Sequence, residues 1–192
     1  MESGFVEPEW DAPLDTAPFL QATPATAVIR GMYPATIVES ARVRGIVLRS
    51  ARERYLSFHH VPVREYLDLL VEAAGAYFPD VPLRLGLRKL GRSTHEVFAQ
   101  SVVGRVILST ADDFPGVVAA AVKGYAISMP PARADVLDRE PRRMVVTFAG
   151  VYNFLDPHHV GVFEGLARAC GVRVTTRVRL ASLHTGDFEL TW

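Results

Sequence analysis

From Val63 onward, apolar residues recur at spacings of three and four. Val63, Tyr66, Leu67, Leu70, Val71 and Ala74 share one stripe, which predicts a helix ending near Gly75 and Pro79. Asp80 and Pro82 then offer an N-cap and an early-turn proline to a second striped segment. There Leu83, Leu87, Leu90, Thr94, Val97, Phe98, Ser101, Val102, Arg105 and Val106 keep the same period. The pattern predicts one helix of about 25 residues, or two nearly collinear ones. Gly86, Gly91 and Gly104 interrupt it, and a glycine inside a helix costs roughly 1 kcal/mol relative to alanine, so each permits close packing or a break. A further helix is expected from Pro115 to Lys123, with Gly124 as its stop.

After Tyr125 the pattern shifts toward strands. Ala134 to Glu140 and Arg143 to Phe148 are short β-prone runs separated by Pro141. Asp156-Pro157 reads as the N-cap and first residue of a helix that stops at Gly171 and buries Val160, Phe163, Leu166, Ala167 and Cys170. From Val172 to Leu180 apolar and polar residues alternate, placing Val172, Val174, Val178 and Leu180 on one side. Thr185-Gly186-Asp187 reads as a hairpin turn into a closing strand, Phe188 to Trp192. The fold class that follows is α+β: an N-terminal helical half, then a ββαββ antiparallel sheet with a helix packed on one face.

The first 62 residues lack such periodicity. Pro8, Pro13, Pro18 and Pro24 hold residues 1 to 24 extended or turning. Phe5, Trp10, Leu14, Phe19 and Leu20 make this arm too apolar for an inert linker, so parts of it are expected in a groove of this molecule or of a neighbour. Thr23-Pro24 reads as a helix start, and Pro34 opens a turn of helix through Ile37, Val38 and Ala41. Arg42 to His60 reads as polar and irregular.

Charge divides the chain at the same place. Lysine and arginine together match aspartate and glutamate at 21 each, yet residues 1 to 29 hold Glu2, Glu7, Glu9, Asp11 and Asp15 and no base. An acidic arm, residues 1–24, precedes a basic single α+β domain, residues 25–192. The densest basic run is Arg42, Arg44, Arg49, Arg52 and Arg54. It fits a solvated face, an anion or nucleic-acid patch, or a dock for the arm or a partner. The neutral sum and scattered aromatics disfavour nucleic acid as a partner. No stretch is apolar for long enough to span a membrane, the start lacks a signal-peptide pattern, and a lone Cys170 forms no internal disulfide; together these place the chain in the cytoplasm.

Candidate chemistry is sparse. His59-His60 and His158-His159 are adjacent pairs whose side chains diverge, and no spacing typical of a metal site occurs. His158 and His159 fall in the first turn of their helix, where the dipole favours the neutral form. His95, on the long striped segment, is the one histidine expected near an interior face. No nucleophile elbow and no phosphate-binding glycine loop is present, and Cys170 near a helix C-terminus has its thiol pKa raised. Asp112-Asp113 and Asp135-Asp138 read as cap and turn residues.

The order of segments resembles a paralogous myxobacterial family of about 200 residues and unknown function. Ile29-Arg30-Gly31-Met32-Tyr33, Tyr55-Leu56-Ser57-Phe58 through Pro62 to Tyr66-Leu67, and Leu90-Gly91-Arg92 carry the likeness. It continues through Phe98 to Gly104-Arg105, Gly161-Val162 to Gly171-Val172, and the closing Phe188-Glu-Leu-Thr-Trp192. More distantly, helices followed by ββαββ are similar to the superfamily of haem-nitric-oxide-binding, vinyl-reductase-type and transport-particle acyl-binding domains. That resemblance implies a small-molecule or lipid pocket and dimerisation. It implies no haem: the chain has no Tyr-x-Ser-x-Arg motif, and the vinyl-reductase cysteine cluster is absent.

These readings converge on a non-enzymatic sensor or adaptor, without a cofactor or metal. It is expected to form a homodimer through its helical half and to hold an apolar or acyl-type small ligand between the long helix and the sheet. Tyr66, His95, Phe98 and Arg105 are the expected lining, with Arg30 and Arg92 meeting an anionic head group. The alternative is a module that binds a protein partner through its acidic arm.

Overall fold

The computed structural model describes residues 4–93 in full, the backbone of residues 94–100, residues 105, 109 and 111, and residues 113–192. In chain order the described elements are α1 (Ala17–Ala22), β1 (Val28–Arg30), α2 (Met32–Val43), β2 (His60–Pro62), α3 (Val63–Tyr77), α4 (Leu83–Gln100), α5 (Phe114–Ser128), β3 (Arg133–Glu140), β4 (Arg143–Ala149), α6 (Leu155–Ala169), β5 (Thr175–Ser182) and β6 (Thr185–Thr191). The fold is α+β, with helices leading into a ββαββ end. Strands β3 to β6 form one antiparallel sheet in the order β3-β4-β6-β5. Met144, Val146, Phe148, Val178, Phe188 and Leu190 are buried on it and join α6 in a continuous core. Val28–Arg30 and His60–Pro62 make a small separate antiparallel pair that brackets α2.

The stripe from Val63 to Ala74 forms α3 as its spacing requires, and Val63, Tyr66, Leu67 and Leu70 are all buried. Helix α4 starts at Leu83 and is described to Gln100; the expected continuation through Ser101, Val102, Gly104 and Val106 lies outside the described residues.

Five boundaries differ from the sequence reading, each for a local reason. Thr23 closes α1 instead of opening a helix, with its N–H and hydroxyl both donating to the Phe19 carbonyl, at 3.1 and 2.7 Å. Gly124 does not stop α5, which continues to Ser128 and ends before Pro130; burial of this helix outweighs the propensity of one glycine. Asp156 does not cap α6: Phe154 takes the cap position in a left-handed conformation, φ 55°, while the Asp156 carboxylate pairs with Arg84. Val172 donates its N–H to Ala167 O at 3.0 Å beyond Gly171 (φ +69°), a Schellman closure that delays β5 to Thr175. Leu180 is left 44% exposed beside a register shift, and the β5–β6 turn falls at Leu183-His184, ahead of Thr185. Asp113 does cap α5, accepting from Gly116 N at 2.8 Å, whereas Asp135 and Asp138 lie within β3.

Among the described glycines the closest helix approach is between α4 and α6. A Cβ at Gly91 would lie 2.0 Å from the His158 carbonyl oxygen, and one at Gly161 would lie 2.0 Å from that of Arg88. Each glycine accommodates the backbone of the opposite helix. Flanking this contact, Arg84 pairs with Asp156, and Arg88 and Arg92 both pair with Glu164. Burial alone would raise the Glu164 carboxyl, but hydrogen bonds from Arg88 and Arg92 hold it below the usual carboxylate range.

Gly91→Ala and Gly161→Ala are each expected to lower stability by about 3 kcal/mol or more, because the atoms displaced are backbone. Gly75, in α3 with nothing within 4 Å of an added Cβ, serves as the control. Gly75→Ala should be neutral or stabilising by up to about 1 kcal/mol. Urea unfolding of the three variants checks both statements.

Candidate functional site

Four helices and one short strand line a cavity of about 70 Å³. β1 contributes Ile29, α2 Tyr33, α3 Tyr66 and α5 Ala121, Gly124, Tyr125 and Ser128. Asn153, just ahead of α6, and His158, His159, Val162 and Leu166 on α6 complete the lining, with Met129. The α4–α6 contact sets how deeply α6 sits, and so aims its two histidines inward: they are 1% and 2% exposed. The Tyr125 hydroxyl hydrogen-bonds to His159 Nε2 and lies 3.4 Å from Asn153 Oδ1. The rings of Phe148 and Tyr125 stand 5.2 and 5.5 Å from that of His159.

Every titratable group here is pushed toward neutrality. Burial lowers His158 from 6.5 to about 4. Burial and the neighbouring His158 also lower His159 well below its ordinary value, against a backbone hydrogen bond at Leu155. Burial raises Tyr66, with Tyr33 acting in the same direction. It raises Tyr125 well above its ordinary value, and it raises Tyr33 against a hydrogen bond with Ser128. The site is therefore an uncharged, mainly apolar chamber with hydroxyl, amide and imidazole groups on its wall. It suits a neutral guest with one or two hydrogen-bonding atoms.

Of the residues singled out by sequence, Tyr66 lines this cavity. Arg30 sits beside it but is occupied elsewhere, its Nη1 donating to Phe58 O at 2.6 Å and its Nε to Ile127 O at 3.4 Å. Arg92 binds Glu164 and borders an open surface groove with Lys89, Arg168 and Arg173. Arg105 is exposed, and the side chains of His95 and Phe98 lie outside the described residues. The cavity lies between α3 and the α5–α6 pair, not between α4 and the sheet. His158 and His159, read from sequence as first-turn residues outside the core, are its most deeply buried polar members. The missed signal was available: from Leu155 to Phe163 the only charged residue is Asp156, and a helix apolar on all sides is a buried one.

Three of the five arginines in the Arg42 to Arg54 run have partners within the fold. Arg42 pairs with Glu39, Arg52 pairs with Glu65, and the Arg44 guanidinium lies 4.9 Å over the Tyr77 ring. The arm does not dock there. Its Phe5 lies under Arg179 and its Trp10 under Arg88, at 4.6 and 4.1 Å, while Phe19 packs on Phe154 at 5.0 Å.

A family model described as "Protein of unknown function (DUF2378)" matches residues 25–192. A search of curated proteins finds no match. Solved structures do match in fold. The Fe(II)NO form of an H-NOX protein from S. oneidensis is 11% identical with a TM-score of 0.66, over 85% of this chain and 99% of that one. An Fe(II) unliganded H-NOX protein from K. algicida is 12% identical with a TM-score of 0.66, over 85% and 96%. The I5F mutant of T. tengcongensis H-NOX is 9% identical with a TM-score of 0.64, over 85% and 97%. The chain thus has an H-NOX-like fold. The iron-centred group of those proteins does not fit the cavity described here: about 70 Å³, lined by Tyr33, Tyr66, Tyr125 and His159, is far below the roughly 300 Å³ at which pockets for larger ligands begin.

The buried histidines make acid stability a direct readout. Unfolding returns His158 to its ordinary 6.5, so the unfolded chain takes up a proton first as pH falls. Stability is full above about 6.5 and is lost progressively toward 4, with about 2 kcal/mol gone at pH 5 at 1.36 kcal/mol per unit. Urea unfolding at pH 8 and pH 5 should show that much more acid loss in the wild type than in His158→Gln.

Proposed function

We infer that the chain, which belongs to the DUF2378 family, is a sensor domain that binds a small neutral molecule in the cavity between Tyr33, Tyr66, Tyr125 and His159. One observation carries this reading: a mainly apolar chamber with uncharged hydrogen-bonding groups on its wall, within a fold that H-NOX proteins also have. By volume the guest is smaller than benzene, which fills an engineered cavity of about 150 Å³. An acyl chain is too long for this space. A guest of this size hydrogen-bonds to the Tyr125–His159 pair and presses its apolar side on Ile29, Val162 and Leu166. The output is positional: α6 lines the cavity with one side and binds α4 with the other, so a guest that favours a different depth of α6 alters the α4 contact. In this reading the domain acts by binding, not by catalysis, works in the cytoplasm, and pairs with a second copy through its helical half.

Native mass spectrometry of the purified chain, with denaturing extraction of whatever it carries, tests the reading. The expected result is a dimer with a small neutral adduct, or one that takes up propanol or acetamide with NMR shifts centred on Tyr125 and His159. Ala121→Leu, which fills the chamber from α5, should abolish uptake while leaving the fold intact. An empty chain whose spectrum does not respond to either probe would overturn the binding reading; a monomer would overturn the pairing.

A further inference from the structure

The arm is seated on an edge that is built to receive a strand. β5 is the outer strand of the sheet, and among the described residues its free side carries one bridge, Val6 to Val178. Val6 N donates to Val178 O at 2.9 Å, and Val178 N donates to Val6 O at 2.8 Å. Arg177 Nη2 donates to the Phe5 carbonyl, and the Arg179 guanidinium covers the Phe5 ring at 4.6 Å. Phe5 is buried, yet Val6 is 60% exposed.

Toward Leu180 the pairing is broken at Gly4, whose φ of +66° is not that of a strand, and toward Thr176 it is stopped by the arm's own sequence. In an antiparallel ladder Pro8 would fall opposite Thr176, whose backbone faces the same free side as that of Val178. Proline has no N–H to donate, so the ladder ends there. An occupant limited to one residue pair is readily displaced; one that continued to Thr176 would hold more firmly.

We propose that the β5 edge is a peptide-recognition site, that residues 5 and 6 are its tethered internal occupant, and that its partner is an extended segment of another protein. That segment carries an aromatic residue followed by a β-branched one, with no proline two positions further on. The aromatic enters beneath Arg179, its carbonyl accepts from Arg177, and the backbone extends the sheet by strand addition. A second copy of β5 is a poor occupant. Antiparallel pairing about Val178 would set Arg177 against Arg179 twice, and like charges directly opposite are destabilising.

The probe is a fluorescent peptide Ser-Gly-Phe-Val-Glu-Val-Glu-Trp-Asp-Ala, the arm sequence with valine in place of Pro8. The receptor is the full-length chain, as wild type and as Val6→Pro, which removes the N–H that binds Val178 O. Anisotropy should show the peptide binding Val6→Pro at least tenfold more tightly than the wild type, whose own arm competes. A peptide with its phenylalanine changed to alanine should lose at least tenfold. Equal affinity for both chains, no binding, or indifference to the phenylalanine would overturn the proposal. If Val6→Pro fails to fold, hydrogen exchange in the wild type decides: the Val178 amide should exchange at least a hundredfold faster than that of Val146. Equal protection of the two would mean the arm is a permanent strand, and the proposal fails.

Discussion

At the α4–α6 crossing, each helix places its backbone where the other would otherwise carry a side chain. Gly91 receives the His158 carbonyl and Gly161 receives that of Arg88. The contact fixes the depth of α6, which carries His158, His159 and Leu166 to the cavity and keeps Phe163 on the sheet's Phe148 and Phe188. It also brings Arg84, Arg88 and Arg92, one helical turn apart, onto Asp156 and Glu164. Arg88 then has two partners, Glu164 by ion pairing and the arm's Trp10 by its ring face.

The charged and uncharged surfaces of α6 serve different ends. Its ion pairs are mostly buried at the Arg84 and Arg88 positions, where loss of one partner leaves a charge poorly solvated; Arg92, 45% exposed, contributes less. On the cavity side nothing is charged, because burial holds the imidazoles and phenols in their neutral forms. A helix with cations bound on one side and neutral hydrogen-bonding groups on the other can transmit occupancy of the chamber to the α4 contact without moving a charge through the core. The same logic applies at its N-terminus, where Phe154 holds a left-handed conformation that costs roughly 1 to 2 kcal/mol for a non-glycine residue, offset by full burial against Phe19.

Much of the architecture was legible in the sequence because its elements bury one face. The Val63 to Ala74 stripe, the runs around Arg143 to Phe148 and the Gly171 stop all reflect local periodicity or backbone conformation, and the ββαββ order follows from them. What was missed depends on partners distant in sequence. Gly124 reads as a stop until the cavity beside it is known, and Asp156 reads as a cap until Arg84, 72 residues away, claims its carboxylate. The β1–β2 pair is three residues per strand, too short for alternation to register. Gly91 reads as a point of close packing or a break, and only its contact with the His158 carbonyl decides between them. For the candidate site, Tyr66 was legible from its stripe, while Tyr33, Tyr125, Asn153 and both histidines converge only through tertiary packing.

The account rests on a chamber that admits a small uncharged guest. A crystal structure of the full-length chain under xenon pressure tests it most directly, since xenon occupies apolar voids without needing a hydrogen bond. The account predicts a xenon peak bounded by Tyr33, Tyr66, Tyr125 and His159, with Gly91 and Gly161 still in contact with the opposite helix. Side chains closing this space, with xenon bound elsewhere or not at all, would contradict it.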